Sequence, residues 1–214
     1  MNQRFAQPGA ETEQSLLSKT MASQIVRRAD AARNIDRILK SAIHVFGIDP
    51  GAGMGEVALH AGVGRATLYR HFPCRDDLMA AIKAQARQEA VTAVESCPLD
   101  EGAALDAIEQ IVRAVIELGD RYRFISGWRA TAGEDDEPRE RISAALRAAV
   151  ERGQRRGEIT RSIPPDWAVM VIRSLMLTAI DQLSAGTMSD RDAERLVKRI
   201  VVQGLSPARR DKAR

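Results

Sequence analysis

The chain has 214 residues, 44% hydrophobic and 29% charged, with a formal net charge of +3. That length admits one large or two small domains, and the balance is that of a soluble globular protein with ample material for a core. Two cysteines, Cys74 and Cys97, exclude a disulfide framework, no metal-ligand spacing is present, and no stretch is apolar and long enough to span a bilayer.

The polar N-terminus lacks the basic-then-apolar layout of a signal peptide, so the expected location is a reducing cytoplasm, with no membrane partner, no metal and no cofactor. Aromatic residues make up only 4% of the chain, and Ala, Arg, Leu and Ile dominate, a mix that favours helices. Charge is uneven. Residues 1–75 carry ten Lys and Arg against six Asp and Glu, whereas residues 76–214 are almost balanced, and all three histidines lie in the first part. A mildly basic front module beside a near-neutral body fits a nucleic-acid contact confined to the front.

In chain order, residues 1–28 lack a sustained apolar period and read as a mobile arm, with Arg27, Arg28 and Arg33 near the first helix. From Ala31 to Phe46, the residues Ile35, Ile38, Leu39, Ala42 and Phe46 recur at helical spacing. Gly47–Gly53 is a turn, marked by Pro50 and its glycines. A second helix is expected over Met54–Ala61 and a third over Arg65–Phe72. Pro73 breaks the chain, and Arg75–Glu95 resumes as a long helix. Further helices follow through Leu105–Leu118, closed by Gly119, and through Pro138 to about Gly153. Between them lie the short aromatic segment Arg121–Ala130 and the acidic loop Glu134–Glu137, which reads as solvated. Pro164-Pro165 opens another helix, and Ser189 caps a last one that Gly204 stops near Val202. No strand-like alternation and no internal repeat is present. The fold class is therefore all-α, with about nine helices.

The densest information lies in Met54–Leu78. Ala58, Gly62 and Leu68 have the spacing of a helix-turn-helix: a small residue where two helices cross, a glycine free to take a positive φ at the turn, and an apolar anchor in the second helix. Val63 and Leu68 then face the core. Arg65, Ala66, Thr67, Tyr69, Arg70 and His71 are left on or near the outer face. That set contains no acid and suits phosphates and base edges.

The string Gly62-Val63-Gly64-Arg65-Ala66-Thr67-Leu68-Tyr69-Arg70-His71-Phe72, followed by Pro73, Arg75, Asp76 and Leu78, resembles the DNA-binding domain of the TetR family of transcriptional regulators. The specific part of the resemblance spans roughly residues 33–82. It implies a homodimer on double-stranded DNA, each subunit placing its third helix in a major groove of a palindromic operator, and a C-terminal domain that binds a small-molecule effector and dimerises through its last two long helices. By position, Arg65 and Ala66 become candidate base readers. Thr67, Tyr69, His71 and Arg75 become candidate phosphate contacts, and Arg70 serves either purpose. The domains expected are an arm (1–28), a helix-turn-helix domain (29–80), a ligand-binding and dimerisation domain (81–206) and a basic tail (207–214). Candidate pocket residues in the body are Phe124, Trp128, Trp167, Met170, Arg173 and Met176.

Two positions depart from the family pattern. Gly53 stands where a capping Ser or Thr is common, and Cys74 where Ser is usual. Gly55, inside the short second helix, also costs about 1 kcal/mol of propensity relative to Ala. The function implied is a ligand-responsive transcriptional regulator, a repressor released from its operator by a small molecule. The alternative is a helical protein-binding module that has lost DNA binding. An enzyme is not expected: residues 85–214 contain no His, one Cys and no phosphate-loop glycine pattern.

Overall fold

The structure, a computed structural model, describes residues 10–125 and 137–207. These form eight α-helices: α1 (Ala10–Ile48), α2 (Met54–His60), α3 (Arg65–His71), α4 (Arg75–Glu95), α5 (Ala104–Arg121), α6 (Glu137–Arg156), α7 (Pro165–Ser184) and α8 (Asp190–Leu205). Among the described residues there is no strand. The expected ninth helix rested on Arg121–Ala130. Arg121 instead ends α5, residues 122–125 form a turn, and the remainder, Trp128 included, lies outside the described residues. The helix that was expected to start at Ala31 already runs from Ala10, through most of the segment read as an arm.

Two hydrophobic cores organise the chain. The first joins α1 to α4: Ile38, Ala42, Phe46, Val57, Ala58, Leu68, Leu78 and Ile82 are buried together. Helices α2 and α3 have seven residues each, too short to persist alone in water. Their stability comes from these buried side chains, the larger of which contribute about 1.5–3 kcal/mol each by removal from water. The second core lies among α4 to α8, with Ile108, Ile111, Val112, Leu146, Val150, Ile172, Met176 and Val197 inside it. α5 is its central helix, packing against α4, α6, α7 and α8.

The cores meet at the end of α5. Leu118, Tyr122 and Ile125 are buried within the first core rather than the second. Phe124 lies 6.0 Å from the Phe46 ring and 6.3 Å from Tyr122. Ser184, at the end of α7, donates its hydroxyl proton to the Ile125 carbonyl at 3.3 Å. Burial, with Glu89 adjacent, pushes the Tyr122 phenol well above its ordinary range.

Three helix ends differ from expectation. Gly119, Gly153 and Gly204 do not stop their helices, which continue to Arg121, Arg156 and Leu205. Gly119 and Gly153 are buried contact points. A Cβ on Gly119 would come within 2.7 Å of Ile180 Cγ1, and one on Gly153 within 2.7 Å of both Ala104 Cβ and Ile159 Cδ1. The glycines that do terminate helices, Gly157 and Gly186, take φ values of 76° and 68°. Ser189 caps α8 as expected, its Oγ accepting from the Asp192 amide at 3.2 Å.

Candidate nucleic-acid interface

The turn between α2 and α3 is fixed by the backbone. Gly62 has φ +61°, its N–H reaches the Leu59 carbonyl at 3.1 Å, and the Val63 N–H reaches Ala58 at 3.0 Å. This pair of bonds is the Schellman arrangement, which only a residue at ease in the left-handed region supports cheaply. Ala58 is buried beneath it, and Val63 packs on the same core. α3 thus leaves the turn with Leu68 inward, and Arg65, Ala66, Tyr69 and Arg70 exposed on its outer side. Tyr69 is 47% exposed. Arg65 and Arg70 have no acidic partner among the described residues. An unpaired cationic surface beside a phenol and a small residue can donate to phosphate oxygens and base edges.

Thr67 and His71 sit lower on the flank of α3. Both are half-buried, and His71 turns its Nε2 inward, where it finds no hydrogen-bond partner. Arg75 has partners of its own within the head. Its guanidinium donates to the carbonyls of Ala52 and, at 2.6 Å, Pro50, and lies 4.2 Å over the Phe46 ring. Arg75 is a clamp that ties the α1–α2 loop to the start of α4, and the loop in turn sets the start of α2.

Gly53 has no hydroxyl to cap α2, but a second capping bond that sequence reading missed is present. The Glu56 carboxylate accepts the Gly53 N–H at 2.6 Å, the reciprocal half of a capping box. The signal was present as an acid three residues after the cap. Cys74 occupies the start of α4 with extended backbone, its Sγ 3.0 Å from Asp77 Oδ2. His44 of α1 and His60 of α2 stack at 4.8 Å beside this module. The side chains of Arg27 and Arg28 lie outside the described residues; Arg33 is exposed.

The five pocket candidates among the described residues do not converge. Phe124 packs at the junction with the first core, and Met176 is buried in the second. Trp167 and Met170 are 57% and 49% exposed on the outer face of α7. Arg173 is half-buried on the same helix, and Trp128 is outside the described residues. A groove of about 710 Å³ opens instead between α4 and α5, lined by Gln88, Glu89, Thr92, Gln110, Arg113 and Glu117, among others. No helix of the described residues is long and apolar enough to cross a membrane, and these residues hold no cluster of three or more potential metal ligands.

A helix-turn-helix with a bare cationic second helix, carried on a larger all-helical body, defines a helix-turn-helix transcriptional regulator. Residues 38–82 match the model of bacterial regulatory proteins of the tetR family. It is 27% identical over 166 residues to the HTH-type transcriptional repressor LfrR of Mycolicibacterium smegmatis, covering 78% of this chain and 87% of that protein. Among solved structures, a TetR transcription regulatory protein from Mycobacterium vanbaalenii is 26% identical, with a TM-score of 0.56 over 84% of this chain and 99% of that one. LfrR from Mycobacterium smegmatis in complex with proflavine shares the fold at 23% identity, with a TM-score of 0.61 over 82% of this chain and 98% of that one.

Proposed function

We propose that this protein is a dimeric, ligand-responsive repressor that binds a palindromic operator and leaves it when a small molecule occupies the body. The observation that carries the DNA reading is the outer face of α3, where Arg65, Ala66, Tyr69 and Arg70 are exposed and neither arginine has an acidic partner. In this reading Arg65 and Ala66 approach base edges. Tyr69 and Arg70 hold phosphates, with Thr67 beside them, and Arg75 contributes by fixing the loop beneath.

Dimerisation is supported by a stripe on α7, where Trp167, Met170 and Val171 are exposed at helical spacing, and by the exposed pair Leu196 and Ile200 on α8. Exposed apolar stripes on two packed helices are the half-surface of a four-helix interface. Two heads held by such a body engage half-sites about 34 Å apart, and a change in that spacing lowers affinity. The α4–α5 groove and the junction at Tyr122, Phe124 and Ile125 give an effector a route to the head, because α4 belongs to both cores. That LfrR is known in complex with proflavine supports a small organic effector of this kind. The ligand's differential affinity for the two states bounds the shift it can cause.

Capture of genomic fragments by the pure protein, followed by gel shifts on the recovered sites, tests the reading. A shared palindrome bound by one dimer is expected. Failure to bind any duplex at low salt contradicts the reading and leaves a protein-binding module in its place.

A further inference from the structure

Gly55 is the second residue of α2, in its first turn, and glycine has a lower helix propensity than alanine. Its φ does not lie in the left-handed region, so the backbone does not call for glycine there. What calls for it is the neighbouring helix. A Cβ built on Gly55 would lie 3.0 Å from Nη2 of Arg65 and 3.4 Å from its Cζ and Nε. The guanidinium therefore rests against the bare backbone of α2, and a methyl group at Gly55 would occupy that space. The contact involves the far end of a flexible side chain, which can move aside without disturbing the core. No acid among the described residues holds the guanidinium elsewhere.

We infer that Gly55 is a positioning residue for DNA recognition: by leaving room for the Arg65 guanidinium against α2, it sets the direction in which Arg65 meets the operator, and so the base step it prefers. This inference rests on the reading of Arg65 as a base contact. Bidentate recognition of a guanine edge depends on the angle of the guanidinium plane, so a displaced Arg65 loses selectivity before it loses its charge.

The test selects the preferred duplex from a randomised palindromic library with the full-length protein. Discrimination against single-base changes is then compared in wild type, Gly55→Ala, Arg65→Ala and the double variant. Arg65→Ala marks the base positions that depend on Arg65. At those positions Gly55→Ala is expected to lose about tenfold in discrimination, while its affinity for random duplex and its salt slope stay at wild-type values and its melting temperature does not fall. In the Arg65→Ala background the Gly55 substitution is expected to change nothing. Gly55→Ser, which adds the same Cβ, should repeat the loss. Unchanged discrimination in Gly55→Ala where Arg65→Ala has lost it overturns the inference and spares the reading of Arg65. An equal loss from Gly55→Ala with or without Arg65 also overturns it, by making the effect a general distortion. If Arg65→Ala keeps the full preference, or no sequence is selected, the base-contact reading fails and this inference falls with it.

Discussion

The head and the body of this protein use glycine in different ways. In the head, Gly62 takes a positive φ to make a turn, and Gly55 leaves space for the Arg65 guanidinium. In the body, Gly119 and Gly153 lie inside long helices, where neighbouring side chains come within 2.7 Å of the position a Cβ would take. The first pair shapes the outer surface of the head, and the second lets packed elements approach closely. Alanine at Gly55 and alanine at Gly153 should therefore differ in consequence, which gives a way to separate recognition from architecture.

The largest effect is expected from breaking the proposed dimer face. Placing Asp at both Trp167 and Ile200 puts charges on exposed apolar stripes without touching either core. A folded monomer is expected by analytical ultracentrifugation, with operator affinity reduced at least about 100-fold because one head then binds alone. A dimer of unchanged affinity would move the interface elsewhere. Next comes Gly153→Ala. Its methyl group meets Ala104 Cβ and the buried Ile159 side chain, so stability should drop by about 1–3 kcal/mol. Gly55→Ala should show no such drop, and chemical denaturation of the two variants measures the contrast.

Arg75→Ala sharpens the comparison within the head. As a clamp, Arg75 holds the carbonyls of Pro50 and Ala52 and covers Phe46. Its loss is expected to cost about 1–3 kcal/mol and to speed amide exchange at Ala52 and Gly53, with DNA affinity weakened for all sequences alike. Arg75→Lys should not restore it, since a point charge cannot span two carbonyls and stack. A phosphate contact alone would instead lower the salt slope and leave amide exchange unchanged.

The smallest effect concerns α5 and α8. Lys198, 2.6 Å away, and Arg113, 2.9 Å away, hold the Glu194 carboxyl below its usual range. A depressed carboxylate stabilises the fold above its unfolded pKa, and that contribution is lost as pH falls through the depressed folded value. Glu194→Gln should thus cost up to about 1 kcal/mol near neutral pH and remove a small part of the acid sensitivity below about pH 4. Urea titrations at the two pH values check both.

The legibility of the chain follows the same division. Ala58, Gly62, Val63 and Leu68 announced the helix-turn-helix because a tight turn over a helix crossing admits few residue types, and their placement matches the geometry. Helix identity in the body was equally readable from periodicity. Helix ends were not: a glycine at a crossing and a glycine at a C-terminus look alike until the partner helix is in place. Pocket residues were illegible for a related reason. Trp167 and Met170 have the chemistry of a ligand site, but apolar outer faces use the same residues. Arg75 was assigned by its position in the family pattern, and only the fold shows the carbonyls it binds.

The decisive measurement is a salt series of equilibrium binding by the full-length protein to a selected palindrome, to the same duplex cut to one half-site, and to random DNA. One dimer should saturate the palindrome, with affinity falling linearly in log salt. The half-site should bind weakly, and random duplex should bind more weakly still. Equal affinity for all three duplexes, or no saturable binding at low salt, would contradict the assignment of α3 as the surface through which a dimer reads DNA.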